Sequence, residues 1–311
     1  MTGMSMRQMG LLECWHVYKR ARRTIGCHDC EVIPKAPHAG MVIAAKPPYQ
    51  VMHNGIKIRL GGYHGEWMAE IIRALGGHHE PQEERLFHEV MKVIPSKAVM
   101  IEVGSYWAYY SLWFKSCVNG GQTYMLEPVP HKLQIGIDNF CLNGMQGHFQ
   151  NAFVGAASNE KGQFVDWDGS VSRVPCIAID DLLAQEGITF LDVLHADIQG
   201  AELEMLEGCR RSLSDNRIGY LFVSTHADKH AACLAAIRLA GYQLVAEHSV
   251  EESCSGDGLI VARSELSPQI PAVEITKGIG RDRVRENMAA LMDLVARKEN
   301  RRLWKAVRAG R

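Results

Sequence analysis

From Val99 onward, short apolar runs alternate with segments whose apolar residues recur at helical spacing. Val99–Val103, Thr123–Leu126, Leu191–Ala196 and Tyr220–Ser224 are expected to be buried strands. Between them, Trp107–Cys117, His131–Leu142, Ile179–Gln185, Ala201–Leu213 and Lys229–Ala240 are expected to be helices, the second closed by Asn143-Gly144. Phe149–Ala156 and Gln163–Trp167 are strand-like, and Gln243–Glu247 with Leu259–Ala262 form a closing antiparallel pair. Such alternation predicts an α/β protein with a doubly wound, mostly parallel sheet.

The pattern differs upstream. Leu11–Arg23 has amphipathic helical spacing, and the Pro- and Ala-containing stretch Ile33–Pro48 reads as a linker. Alternating residues on either side of Asn54-Gly55 predict a hairpin. Glu66–Leu75 is a short helix ended by Gly76-Gly77, and Glu83–Val93 is a helix stopped by Pro95. Met288, Leu291, Leu294 and Val295 put one apolar face on a charged tail helix, Arg281–Val307. These patterns divide the chain into an extension (1–95), a core (96–265) and a helical tail (266–311). The tail or the N-terminal region could join two copies into a homo-oligomer.

Net charge changes the picture only by exclusion. At −1 over 311 residues it gives no electrostatic reason to expect a nucleic-acid partner. The basic clusters Lys19–Arg23 and Arg281–Arg311 read as solvated faces. No apolar run is long enough to span a membrane, and the first residues lack the apolar core of a secretion signal. Nine scattered cysteines suggest reduced thiols and a cytoplasmic protein. Cys27-His28-Asp29-Cys30 has zinc-site spacing, but further ligands would have to come from Cys14, His16 or His38, so ordinary loop cysteines are the expectation.

Three segments carry chemistry. In MIEVGSYWAYYS (Met100–Ser111) a strand ends in Glu102, and Gly104 precedes a helix start whose amides are unpaired. Tyr106 and Trp107 stand where a dinucleotide-binding loop has glycine. A pyrophosphate fits poorly there, and a nucleoside with an amino-acid tail fits better. In MLEP, Glu127 ends the next strand, placed to accept hydrogen bonds from both hydroxyls of a ribose. In LDVLHADIQGAELEMLEG, Asp197 lies at a strand's carboxyl end, where ligands of open α/β sheets bind.

Taken in order with His79-Glu80-Pro81, Asn143-Gly144 and Ala178–Leu183, these segments resemble the FkbM family of S-adenosylmethionine-dependent methyltransferases over roughly Tyr49–Ser264. The family pattern runs DVGANxGYYS, FEP, TLDDLL and KIDVEGAExxVLxG, with YEP upstream. The resemblance implies a seven-stranded Rossmann-like sheet, S-adenosylmethionine as cofactor, and O-methylation of a small acceptor such as a sugar or secondary metabolite. N-methylation, or an inactive cofactor-binding module, are the alternatives. By position it implies that Glu102 and Gly104 line the methionine portion, Glu127 binds the ribose, Asn151 and Ala152 flank the adenine, and Asp197 is near the transferred methyl. Glu80, Ser105, Tyr106, Ser111 and Pro128 fall on further cofactor-binding positions of the pattern. Ser105, Trp107 and Ala108 replace Ala, Ile and Gly, while His195 and Gln199 replace Lys and Glu.

His195 and Asp197 share a strand face, and His226 ends the neighbouring strand, so the three could converge. A histidine could then act as general base toward a substrate hydroxyl. Asp197 and His226 could instead hold a divalent metal, a reading not favoured, or His195 could be a buried histidine and His226 a helix cap. Asp257, between Gly256 and Gly258, either faces the substrate or only stabilises the turn, and the turn is favoured.

Overall fold

The computed structural model describes residues 11–165 and 169–278, together with Lys305. The tail helix expected over Arg281–Val307 lies outside the described residues, Lys305 apart. Two compact units divide the described residues: one within 86–250 with 257–274, and the other 11–85 with 251–256 and 275–278.

In the second unit, α1 (Leu11–Ile25) precedes a small antiparallel sheet of β1 (Val42–Ile43), β2 (Tyr49–Val51) and β3 (Lys57–Arg59). The stretch expected to be a linker therefore supplies an edge strand, because Val42 and Ile43 find partners in Gln50 and Tyr49. The Asn54-Gly55 hairpin forms as expected, with Val51 opposite Lys57 and Asn54 Oδ1 accepting the Ile56 amide at 3.2 Å. Next, α2 (Glu66–Ala74) buries Trp67, Met68, Ile71 and Ile72, and α3 (Pro81–Met91) begins here. Later chain returns to this unit: Thr24 Oγ1 donates to the Cys254 carbonyl at 2.8 Å, and the Asp29 carboxylate accepts from Thr276. The Cys27/Cys30 spacing does not make a shared site. Asp29–Val32 form one 3-10 turn, the Cys27 thiol meets that of Cys254, and His28 Nδ1 lies 2.8 Å from Glu31.

In the first unit, β4 (Val99–Val103), β5 (Gln122–Leu126), β6 (His148–Gln150), β11 (Leu191–Ala196), β12 (Ile218–Thr225), β13 (Gln243–His248) and β14 (Gly258–Arg263) make one sheet. The remaining short strands are β7 (Phe153–Val154), β8 (Gln163–Val165), β9 (Val171–Arg173) and β10 (Cys176–Ile177). The sheet order is β13-β14-β12-β11-β4-β5-β6, with β14 alone antiparallel to its neighbours. This is the doubly wound, seven-stranded sheet with an antiparallel closing pair that the pattern predicts. Helices α4 (Tyr109–Cys117), α5 (Pro130–Leu142), α6 (Ile179–Gln185), α7 (Glu202–Gly208), α8 (Arg210–Ser214) and α9 (His230–Leu239) connect the strands. Every residue of β12 is buried, as expected of a strand covered on both faces. Each such Val or Leu contributes about 1.5–3 kcal/mol by leaving water.

Three local departures from the expected elements occur. Phe149–Ala156 splits: β6 joins the main sheet, while β7 pairs in parallel with β10. The single helix expected over Ala201–Leu213 breaks at Cys209 into α7 and α8. Helix α4 starts at Tyr109 rather than Trp107, because Tyr106 (φ 41°) and Ala108 (φ 56°) are left-handed. No helix among the described residues is long and apolar enough to cross a membrane.

Candidate functional site

Strand order reverses between β4 and β11, whose crossovers lead to opposite ends of the sheet, and a crevice opens at that point. There the carboxyl ends of β4, β5 and β11 border a cavity of ≈ 340 Å³. Its lining includes Gly104, Glu127, Pro128, Ala152 and Asp197, all expected from the sequence.

Gly104 is fixed by close approach. Its φ is +72°, and a Cβ there would lie far inside the van der Waals radius of the Asp197 carbonyl oxygen. The Gly104 and Ser105 amides both donate to the Leu126 carbonyl, at 2.9 and 3.1 Å, and the Asp197 amide donates to Val103 at 3.0 Å. These bonds hold the three strand ends together. The missing side chain lets the β4 and β11 backbones meet at the cavity floor.

Glu127 is buried, and its carboxylate is oriented by amides. Val129 N donates to Oε1 at 2.9 Å and Tyr106 N to Oε2 at 3.1 Å. Carboxylate oxygens accept more than one hydrogen bond each, so a diol can still be bound. The Asn151 side chain does not line the cavity. It donates to the carbonyls of Glu127 and Pro128 at 2.8 and 2.9 Å, pinning the loop that presents Glu127.

Several expected cofactor contacts are elsewhere. Glu102 Oε2 accepts the Ser111 amide at 3.0 Å, so this buried carboxylate satisfies a free N–H in the first turn of α4 instead of lining the cavity. Ser105 and Ser111 are buried beside it and are not lining residues. Tyr106 offers its amide to Glu127, while its ring lies 5.5 Å below Lys132 Nζ. Glu80 belongs to the other unit, where Oε2 lies 3.1 Å from His79 Nε2.

Asp197, His226, Glu202, Asp257 and Gln199 converge. His226 Nε2 is 3.3 Å from Asp197 Oδ1 and 3.4 Å from Asp257 Oδ1, while Nδ1 is 2.6 Å from Glu202 Oε1. The fully buried Glu202 also accepts the Gly200 amide at 2.9 Å. Gln199 Nε2 donates to Asp197 Oδ1 at 3.0 Å and lies 2.8 Å from His226 Nε2. Burial opposes charge on His226, yet the hydrogen bonds to Asp197 and Glu202 and the charge of Asp257 push it up to about 10. Burial likewise works against the Asp197 carboxylate, but the His226 hydrogen bond and charge, with Gln199, hold it below its usual range. His226 is thus an imidazolium at neutral pH. In that form its two ring N–H groups point at carboxylates, with no lone pair for a metal and no vacancy for a proton. Asp257, for which the turn reading is favoured, joins the network.

His195 does not join. It is buried among Tyr110 (ring centroids 4.2 Å), Phe222 (6.2 Å) and Phe87 (6.4 Å), and acts on Asp197 through its electrostatic field. It sits in register with Glu102 and Phe222, in the aromatic layer beneath α4. That position fits a core histidine better than a base.

Sequence reasoning gives no role to Lys132, Phe153, Phe164, Glu202 or Glu204. Lys132, the two phenylalanines and Glu204 line the cavity. The Phe153 and Phe164 rings lie 5.8 Å apart, brought together by β7 and the β8–β9 hairpin. Glu202 was visible as the acidic residue of the GAE segment, and Lys132 as the cation one turn after LEP. Nothing local marks the phenylalanines.

Residues 89–244, half of the chain, match the family described as the methyltransferase FkbM domain. Among solved structures, the chain is similar to a precorrin-6Y C5,15-methyltransferase from Geobacter metallireducens GS-15, at 15% identity. That likeness covers 58% of this chain and 89% of the other, with TM-score 0.39. It is also similar to TrmK of M. capricolum, solved with S-adenosyl-homocysteine, at 14% identity, 73% and 98% coverage and TM-score 0.39. For a methyltransferase from Aquifex aeolicus the values are 12%, 58% and 88%, and 0.35. No curated protein matches the chain in sequence.

Proposed function

The chain belongs to the FkbM methyltransferase family and is an S-adenosylmethionine-dependent methyltransferase, and from that premise we propose that it methylates a hydroxyl of a small acceptor. The observation that carries this reading is the Asp197 carboxylate lining the cavity, held ionised by His226. A hydroxyl is a poor nucleophile unless its proton has an acceptor in the transition state. A neutral amine can attack first and lose its proton afterwards, so it needs no such group.

The cavity suits the cofactor. Its volume falls in the usual range for small-molecule sites, and it combines apolar walls with few polar groups. Phe153, Phe164 and Ala152 offer an apolar slot for adenine. Glu127 accepts the ribose hydroxyls, and the Gly104 approach leaves room for the amino-acid portion. When bound, S-adenosylmethionine supplies the electrophilic methyl group.

Asp197 then orients the acceptor hydroxyl by a hydrogen bond and takes its proton as the new O–C bond forms. Holding acceptor and methyl in line supplies much of the rate enhancement. His226 is a positioning residue: it fixes the Asp197 rotamer and keeps it anionic, and Glu202 fixes His226 in turn. Acceptance of a neutral, hydroxylated small molecule accords with a net charge of −1. A cytoplasmic setting and a homo-oligomer are part of the same proposal.

Isothermal titration with S-adenosylmethionine, alongside turnover on a panel of hydroxylated and amine acceptors, tests this. Asp197→Asn is expected to retain cofactor affinity and lose turnover ~10²–10⁴-fold. Full turnover of that variant, or methylation of amines alone, sinks the assignment.

A further inference from the structure

Beyond the methyl-transfer cavity, the second unit contains a sealed cluster. His53 follows β2, His78 follows the Gly76-Gly77 turn, and Glu84 lies in the first turns of α3. All three are buried, at 2%, 0% and 0% exposure. A ring nitrogen from each histidine and a Glu84 oxygen lie within 4.8 Å of one another. We propose that His53, His78 and Glu84 form a binding site for one divalent transition-metal ion, zinc(II) by its donor set.

Four observations carry it. The donor set is two imidazoles and one carboxylate, which suits zinc and similar ions. Magnesium and calcium take oxygen ligands instead. The His53 and His78 rings stack at 4.2 Å and 15°, so both turn a ring nitrogen toward the same Glu84 oxygen. His78 Nε2 is buried without a hydrogen-bond partner, although its Nδ1 meets Glu84. Direct ligation of an ion is one way a buried ring nitrogen away from water is satisfied.

The backbone, finally, is built for this convergence. Gly77 has φ +96°, and a Cβ there would strike the His53 backbone nitrogen, whose N–H donates to the Gly77 carbonyl at 3.0 Å. The hairpin and the loop are thereby locked together, with both histidines carried on them.

Glu84 is itself oriented by groups around it. Its Oε1 accepts the His79 and Glu80 amides at 2.7 and 3.1 Å and lies 2.6 Å from His79 Nδ1, while His79 Nε2 lies 3.1 Å from Glu80. Oε1 is held from behind and Oε2 faces the two rings, as ligating carboxylates usually are. With every ligand buried, the ion would serve folding of this unit rather than chemistry on a substrate. Three protein ligands leave a fourth tetrahedral position for a trapped water.

Elemental analysis of the full-length protein, purified without immobilised metal, is the test. About one zinc per chain is expected. Dipicolinate should strip it and lower the thermal midpoint, and added zinc chloride should restore that midpoint. Cobalt(II) exchange should give tetrahedral ligand-field absorption. Glu84→Gln and His78→Gln should abolish all three signals, and His79→Ala should weaken zinc affinity by ~10–100-fold. Because those variants could misfold, the wild-type measurements decide. A metal-free protein whose midpoint ignores both chelator and zinc chloride, and which gives no cobalt spectrum, overturns the proposal.

Discussion

The two histidine–carboxylate clusters use the same residue types in opposite settings. His226 lies between Asp197, Asp257 and Glu202, and Asp197 opens on a cavity with its side chain 31% exposed. His53, His78 and Glu84 are sealed, none above 2%. In the first cluster three carboxylates surround one ring, and the excess negative charge makes that ring a cation. In the second, one carboxylate faces two stacked rings with one oxygen and His79 with the other. The comparison teaches that ligand-facing chemistry and structural cohesion are separated by charge balance and solvent access, not by residue type.

The largest effect that would break this contrast is at Gly104. Gly104→Ala forces a Cβ into the Asp197 carbonyl at a positive φ, and about 4 kcal/mol or more of stability should be lost. Chemical denaturation measures this, and a fully stable variant would mean that the strand ends are not in contact. Cofactor binding should vanish with it. Next in size, Glu127→Ala removes an amide-oriented acceptor, and S-adenosylmethionine affinity should fall ~10–100-fold by titration, on the scale of a charged hydrogen bond. Unchanged affinity would detach the ribose from this carboxylate.

A pH series sharpens the cavity side. The His226 pKa is raised in the fold to about 10 from the ordinary 6.5, so its stabilisation is complete below about 6.5 and is lost as pH rises through about 10. Asp197 acts at the other end: its lowered pKa gives stability present above the unfolded value and lost as pH falls through the folded one. The thermal midpoint of the wild type should therefore decline between neutrality and pH ~10 more steeply than that of His226→Gln. Parallel declines would show that the ring is not charged.

The smallest effect is expected at His195. Replacement within its aromatic cage by Phe should cost under ~1.5 kcal/mol, and turnover should stay within about threefold. A hundredfold loss would restore His195 as a base and undo the reading of Asp197.

Much of the sheet was legible because strand burial on both faces writes near-continuous apolar runs, and helical spacing separates them. Motif order placed Gly104, Glu127 and Asp197 at the cavity because each stands at a strand's carboxyl end. The carboxylates of Glu102 and Glu80 instead meet the Ser111 amide and His79 and do not line the cavity. A carboxylate near a strand or helix end can face a ligand, cap Ser111's amide or pair with His79, and only side-chain direction distinguishes these. The left-handed Ala108 explains in retrospect why the family pattern has glycine there.

By itself, then, the sequence determined the order of elements, the fold class and the family's backbone-bound positions, because those follow from local periodicity and spacing. Tertiary structure decided which ionisable side chains meet. His226 pairs with Glu202 from 24 residues away. His53 meets His78 across a hairpin and a loop. His195, two residues from Asp197, turns into the core. Such pairings depend on burial and charge balance summed over distant segments, and no local pattern in the chain encodes that sum.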